Sequence, residues 1–284
     1  MSWSKVKTLL IFLFVFVNIF LIYNMYFKEG RTTDVSSQTI ADTVKVLRDN
    51  NITIDPSAIR RKPIRMKKLE ITNSIDSIGT LAENLLGSCE ETAKGYENKK
   101  GRVVFNSVEF YYENYDTSNS NPDMSDSNAI NTAVSFLNHK KFDVKASGVR
   151  DYTSNENGYN IRFGKEIDGT PIFESYLQVT ISPKGVLKSI EGYWPEVHEQ
   201  SDSSYSRILC VDQTKILINL LSVEGFDTSV HHEIVDIQTG YTLGSQPESN
   251  NPILLTVLPA CRITLKTGEN YIFDATTGEY IYNY

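Results

Sequence analysis

The sequence predicts an α+β protein: an N-terminal single transmembrane helix, then an extracytoplasmic domain of two lobes, each an antiparallel sheet covered by amphipathic helices. Three observations predict this class. Thr8 to Phe27 is a run of 20 residues without a charge, bounded by Lys5 and Lys7 before it and Lys28 after it. Four later segments repeat apolar residues at the three- and four-residue spacing of a half-buried helix. The second half then alternates apolar and polar residues between short Gly-containing turns, the pattern of antiparallel strands.

The first element follows from length. At about 1.5 Å per residue the uncharged run covers roughly 30 Å, the hydrocarbon thickness of a bilayer. A cleaved signal peptide has a shorter apolar core that ends at small residues. Here the run closes on Ile22-Tyr23-Asn24-Met25-Tyr26-Phe27, bulky to the boundary, so an uncleaved anchor is expected. Lys5 and Lys7 precede the span with no acidic residue, whereas Glu29 and Asp34 dilute Lys28 and Arg31 after it. The positive-inside bias places the N-terminus in the cytoplasm and the remainder outside the plasma membrane.

Helices are expected over Gln38–Asn50 (Ile40, Val44, Leu47), from Ser77 to Gly87 (Ile78, Leu81, Leu85), over Ser127–Lys140 (Ile130, Ala133, Val134, Leu137), and from the N-cap Asp212 to Gly225 (Ile216, Leu220, Leu221). Strand faces are expected for Tyr159, Ile161 and Phe163, and for Phe173, Leu177, Val179 and Ile181. Ser182-Pro183-Lys184-Gly185 turns the chain into Val186, Lys188 and Ile190. Cys261, Ile263 and Leu265 form another face. Thr267-Gly268 and Thr277-Gly278 then turn the chain through Tyr271 and Phe273 into Tyr280-Ile281-Tyr282. Connections this short join antiparallel neighbours.

The expected organisation is a cytoplasmic N-terminus over 1–7, a transmembrane helix over 8–27, a first lobe over 28–115, a linker over 116–126 and a second lobe over 127–284. Within the second lobe a helix followed by strands occurs twice, from Ser127 and from Asp212. The linker rests on the polar, aperiodic stretch Asp116–Asn128.

Composition narrows the function classes. Hydrophobic residues are 40% and charged residues 22%, the balance of a folded domain. The net charge is −7 and the span's flanking lysines leave the remainder more acidic still, which excludes a nucleic-acid surface. No phosphate loop, dinucleotide fingerprint, nucleophile elbow or zinc-protease helix occurs. The four histidines are His139, His198, His231 and His232, and the adjacent pair would point to opposite sides of a strand. No catalytic residue, cofactor or metal site is expected; Asp123 and Asp126 lack the alternating ligands of a calcium loop. Cys89, Cys210 and Cys261 are too few for a disulfide framework. Either Cys210 pairs with Cys261 or all three are buried thiols.

Three features point to contact rather than chemistry. Asn18 puts an amide near the middle of the span, on a helix face with Ile11, Phe14, Val15, Leu21, Ile22 and Met25. Either it docks another membrane helix, where such hydrogen bonds contribute up to about 1–2 kcal/mol, or it is a tolerated polar residue. Arg60, Arg61, Lys62, Arg65, Lys67 and Lys68 crowd six basic groups into nine positions. They suit anionic headgroups, a polyanion or an acidic partner, or else a solvated edge strand. The third is an aromatic surplus, 16 tyrosines and 13 phenylalanines.

Trp3-Ser4-Lys5-Val6-Lys7-Thr8 leading into Phe16-Val17-Asn18-Ile19-Phe20-Leu21 resembles the start of the YycI (WalI) family. Pro259-Ala260-Cys261-Arg262-Ile263 and Gly268 to Glu279 are similar to that family's closing hairpin, and also to PepSY-type modules. The resemblance implies a regulator that contacts a sensor histidine kinase of the YycG (WalK) type and a YycH-like protein, largely through the transmembrane helix. It also implies an outer part of two α+β lobes and brings no catalytic residues. The alternative expectation is a PepSY-like extracytoplasmic binding module or inhibitor for a protease, peptide or wall polymer, with the anchor as a tether.

Overall fold

The computed structural model describes residues 7, 11–20, 34–67, 69–72, 75–106, 109–116, 124–199, 207–243 and 254–284. Residues 11–20 form helix α1. Residues 8–10 and 21–27 of the expected span lie outside the described residues, and among the described residues no helix is long and apolar enough to cross a membrane.

The four amphipathic helices expected after the span all form. α2 (Ser37–Asp49) starts where the Ser36 hydroxyl accepts the Thr39 N–H at 3.0 Å, and it buries Ile40, Val44 and Leu47. β1 (Ile52–Ile54), β2 (Arg65–Lys67) and β3 (Leu69–Thr72) follow. α3 (Ile75–Leu86) stops at Gly87, whose φ of 78° is the left-handed geometry that ends helices. β4 (Glu90–Thr92), β5 (Gly95–Asn98), β6 (Gly101–Asn106) and β7 (Glu109–Asn114) form a meander. α4 (Asp126–His139) is capped by Ser125 and buries Ala129, Ala133 and Leu137. β8 (Val149–Asn155), β9 (Gly158–Ile167), β10 (Thr170–Ile181) and β11 (Leu187–Tyr193) continue the sheet, followed by β12 (Glu196–Glu199) and β13 (Arg207–Leu209). α5 (Gln213–Leu220) has Asp212 at its N-cap position, but the carboxylate makes no capping bond. The helix also ends five residues short of Gly225, because tight turns close on Leu220 and Val223. β14 (His232–Thr242), β15 (Leu254–Leu265), β16 (Asn270–Asp274) and β17 (Tyr280–Asn283) complete the chain.

Among the described residues the protein is α+β, with one large mixed sheet, a separate two-stranded ribbon and five α-helices. The expectation of purely antiparallel sheets is corrected: β1 and β10 each run parallel to β14. Short turns impose antiparallel pairing only on consecutive strands, and both parallel partners of β14 come from far earlier in the chain. Along the main path the order is β12-β3-β15-β14-β10-β11-β7-β6-β5-β4. The sheet thereby unites the two ends of the chain, since β1 and β3 lie against strands from its last quarter.

Two helical layers cover it. Ile40, Val44 and Leu47 of α2 join Ile216, Leu217 and Leu220 of α5 over Cys261, Ile263, Leu265, Tyr271 and Phe273. Leu85 of α3 and Ala129, Ala133 and Leu137 of α4 close over Val103, Tyr112, Ile161, Phe163, Leu177, Val179 and Ile181. Simple alternation puts Phe173 on that second face with Leu177, Val179 and Ile181, but it lies elsewhere. β10 shifts register between Pro171 and Tyr176, so Phe173 joins Ala260 and Ile272 instead.

At this shift β10 passes from one core to the other. Tyr176 to Ile181 pair with β9 and β11, whereas Ile172 pairs with Tyr241 of β14. A carboxylate ties the crossing together: Glu174 Oε1 accepts hydrogen bonds from the Thr242 and Tyr282 hydroxyls, and Oε2 accepts the Leu243 N–H at 3.3 Å. Burial, and next the bond to Glu174, hold the Tyr282 phenol above its ordinary range. A raised folded-state value favours the protonated phenol, so this contribution is whole below the ordinary tyrosine pKa of about 10 and is lost as pH rises past it. Between pH about 9 and 12 the wild type should therefore lose more stability than Tyr282→Phe, measured by denaturant titration at each pH. Parallel losses in the two proteins would contradict the assignment.

Candidate functional site

The basic cluster is built onto the fold residue by residue. Asp55 accepts the Ser57 N–H at 2.8 Å and, with Pro56, sets a short 3-10 turn, Pro56–Ala58. Ile59 is buried as the anchor of the next stretch. The Arg60 N–H donates to Oε1 of the buried Gln213 at 2.7 Å, and the Arg61 carbonyl accepts the Val35 N–H at 2.8 Å. The Ile64 carbonyl accepts from Cys210 N at 2.9 Å, and there β2 enters a two-stranded ribbon with β13. Arg60, Arg61, Arg65 and Lys67 thus project from backbone held in place.

The ribbon's register arranges the charges. Arg207 stands opposite Lys67, Leu209 opposite Arg65, and Ile208 opposite Met66. Met66 is buried, so the period of two turns Arg65, Lys67, Arg207 and Leu209 to the other face. Like charges directly across a strand pair repel. One carboxylate relieves them: Asp168 Oδ2 lies 2.8 Å from Lys67 Nζ. The Lys67 hydrogen bond and charge, and beyond them Arg207, hold the Asp168 carboxyl below the usual carboxylate range. Asp168 reaches this position on the tip of the β9–β10 hairpin, where Asp168 and Gly169 have φ of 50° and 75°. Both central residues at positive φ define the Asp-Gly turn that suits a twisted hairpin.

Two clefts flank the segment. One, of about 780 Å³, lies between α2 and the 3-10 turn and is lined by Ile40, Val44, Pro56 and Ile59 with Lys45, Arg48, Arg60 and Arg61 around them. The other, of about 610 Å³, lies between the ribbon, β14 and the hairpin tip. It takes Arg60, Arg65, Lys67 and Arg207 together with Ile64, Ile167, Pro171 and Ile237. Of the six basic residues marked in the sequence, the structure brings Arg60, Arg61, Arg65 and Lys67 to these clefts. Lys62 is exposed beside them, and the Lys68 side chain lies outside the described residues. Arg207, Lys45, Arg48 and Asp168 complete the site but were not marked. The Asp168-Gly169 dipeptide between two strands was a legible hairpin signal, whereas nothing local to Arg207 announces its partner.

The other marked residues are placed as follows. Ile11, Phe14, Val15 and Asn18 lie on α1, while Leu21, Ile22 and Met25 lie outside the described residues. Asn18 Nδ2 donates to the Phe14 carbonyl one turn back at 2.8 Å. His231 Nε2 is 3.4 Å from the Thr53 hydroxyl, and His232 stacks on Phe226 with its Nε2 2.8 Å from the Asp227 carbonyl oxygen. Among the described residues no group of three or more His, Cys, Asp or Glu is placed to hold a metal ion. All three cysteines are free. Burial foremost pushes the Cys210 thiol up to about 11 and that of Cys261 to about 12, which leaves both as unreactive thiols.

No family model matches the chain, and no curated protein matches it. Among solved structures the chain is similar to the crystal structure of an uncharacterized protein from Eubacterium rectale, at 14% identity and a TM-score of 0.49, over 76% of this chain and 86% of that one.

Proposed function

We propose that this chain is a membrane-anchored, non-enzymatic regulator of a sensor histidine kinase of the YycG (WalK) type. In this reading residues 8–27 span the plasma membrane with the N-terminus in the cytoplasm, the α+β part forms two lobes outside, and a YycH-like protein is a second partner. The supporting observation is α1: its nine apolar side chains, Ile11 to Val17, Ile19 and Phe20, are each between 43% and 71% exposed. A helix apolar on every side is stable in a hydrocarbon environment and not in water. The Asn18 bond to its own helix uses one donor of the amide and leaves the carbonyl oxygen for a neighbouring helix.

Exchanging the span for an unrelated transmembrane helix is expected to abolish association with the kinase in a membrane two-hybrid assay. Asn18→Leu should weaken it about fivefold, the value of one interhelical hydrogen bond. Unchanged association together with unchanged kinase autophosphorylation in both variants would refute the reading. The basic clefts favour a second reading, a PepSY-like extracytoplasmic binding module on a passive tether. That module would keep its function after the exchange.

A further inference from the structure

We infer that the cleft between α2 and the Pro56–Ala58 turn docks on anionic phospholipid headgroups of the membrane that holds the N-terminal span, an inference that rests on the anchored reading above. Position carries the first step. The expected span ends at Phe27, and the seven residues 28–34 separate it from Val35. Seven residues of fully extended chain reach about 25 Å at most. Val35 is buried, and its N–H donates to the carbonyl of Arg61, a residue of the cleft lining, at 2.8 Å. The chain therefore joins the folded part at the rim of this cleft, and the anchor keeps that rim within about 25 Å of the bilayer surface.

Charge and lining carry the second step. The cleft has a volume of about 780 Å³, and Lys45, Arg48, Arg60 and Arg61 line it with exposed side chains. Among the described residues none of those that line it is acidic. The periodicity of α2 produces this arrangement. Ser37, Ile40, Ala41, Val44, Lys45 and Arg48 recur at the three- and four-residue spacing of one helix side, and the acids of the helix, Asp42 and Asp49, fall off that stripe. Asp55, next to the turn in sequence, accepts the Ser57 N–H. Ala41 and Pro56 add exposed apolar surface between the cations. A phospholipid surface offers the complement of both: phosphates for the guanidinium and ammonium groups, and the glycerol–acyl boundary for the apolar shelf. Each basic group close to an anionic bilayer strengthens attachment about fivefold. The tether makes these contacts intramolecular, so individually weak ones suffice.

The test places the full-length chain in nanodiscs of phosphatidylcholine, alone or with about one-third phosphatidylglycerol. A fluorophore on Ala58→Cys, at the end of the turn, reports contact with a lipid that carries a nitroxide on its headgroup. Cys89→Ser removes the thiol that is not buried. Quenching is expected to rise about threefold with phosphatidylglycerol, and to fall back in Lys45→Gln/Arg48→Gln/Arg60→Gln/Arg61→Gln. The charge-keeping variant Arg48→Lys/Arg60→Lys/Arg61→Lys should retain most of the rise, and Lys184→Gln/Lys188→Gln, at the β10–β11 turn, all of it. Equal quenching in the two lipids, by a chain that stays in the disc at about 1 M salt, would overturn this inference alone. A chain that leaves the disc at that salt refutes the anchor, and this inference with it. A rise that survives the four Gln substitutions would overturn it by assigning lipid contact to another face. Loss of the rise on adding a soluble peptide of alternating Glu and Leu at micromolar concentration would overturn it too, and assign the cleft to a polypeptide partner.

Discussion

Glu174→Ala is expected to destabilise the protein by about 3 kcal/mol, measured as a shift in denaturant midpoint followed by tryptophan fluorescence. The magnitude follows from what the carboxylate satisfies. It accepts the Thr242 hydroxyl, the Tyr282 hydroxyl and the Leu243 N–H, and Thr242 is fully buried. Without it the two hydroxyls, 3.3 Å apart, can bond to each other, which leaves one hydroxyl hydrogen without the acceptor that Oε1 supplied and the Leu243 N–H without Oε2. A buried donor left without a partner costs about 1–3 kcal/mol, more than the net worth of the bond it made. Glu174→Gln keeps one carbonyl oxygen for the hydroxyls and loses only the second acceptor, so about 1 kcal/mol is expected. A double-mutant cycle with Tyr282→Phe should return a coupling of about 1 kcal/mol. Equal, small effects for Ala and Gln would show that the carboxylate is solvated and that β10 is held to β14 and β17 by packing alone.

This junction is also where reading the sequence stops being sufficient. Local patterns were legible: Ile40, Val44 and Leu47 face one way because a helix repeats every 3.6 residues, and they are buried on α2 as expected. Cys261, Ile263 and Leu265 likewise share a buried face because strands alternate. Turns were legible where glycine supplies a positive φ, as at Gly185, Gly268 and Gly278. Long-range pairing was not. Nothing in Ile52-Thr53-Ile54 says that its partner is His232-Glu233-Ile234, since a parallel neighbour is chosen by the completed sheet and not by a turn. The register shift that carries Phe173 out of the second core falls between Pro171 and Tyr176, paired with Glu166 and Gly164, and the alternation of β10 does not announce it. The candidate site shows the same division. The cluster from Arg60 to Lys68 is visible as composition and Asp168-Gly169 as a hairpin turn, but nothing in the sequence spacing brings Arg207 or that turn to the cluster. Asp212 fails in the opposite sense: it has the residue type and position of an N-cap, yet its carboxylate makes no capping bond.

Gly240→Val should cost about 3 kcal/mol, measured as a shift in denaturant midpoint. Gly240 sits on β14 opposite Ala260 of β15, at the place where β10 comes alongside. A Cβ there would lie 2.6 Å from the Pro171 carbonyl oxygen and 2.7 Å from the Phe173 ring. The ring also carries the Arg262 guanidinium over it, 4.8 Å from its centroid, which restricts how it can yield. The Pro171 carbonyl is backbone and yields only if β10 moves. Pro171 and the hairpin tip that carries Asp168 both line the basic cleft. Even Gly240→Ala, with a single added carbon, should therefore displace the tip while costing about 2 kcal/mol. Gly79→Ala provides the opposite sign. Gly79 lies inside α3, where an added Cβ meets only the Tyr96 hydroxyl at an ordinary 3.7 Å. Removing a mid-helix glycine should stabilise by about 0.5–1 kcal/mol and leave the cleft unchanged. If Gly240→Ala unfolds at the wild-type denaturant concentration, β10 is free to slide past β14. The cleft is then not a preformed site, because its far wall would depend on a contact that carries no load.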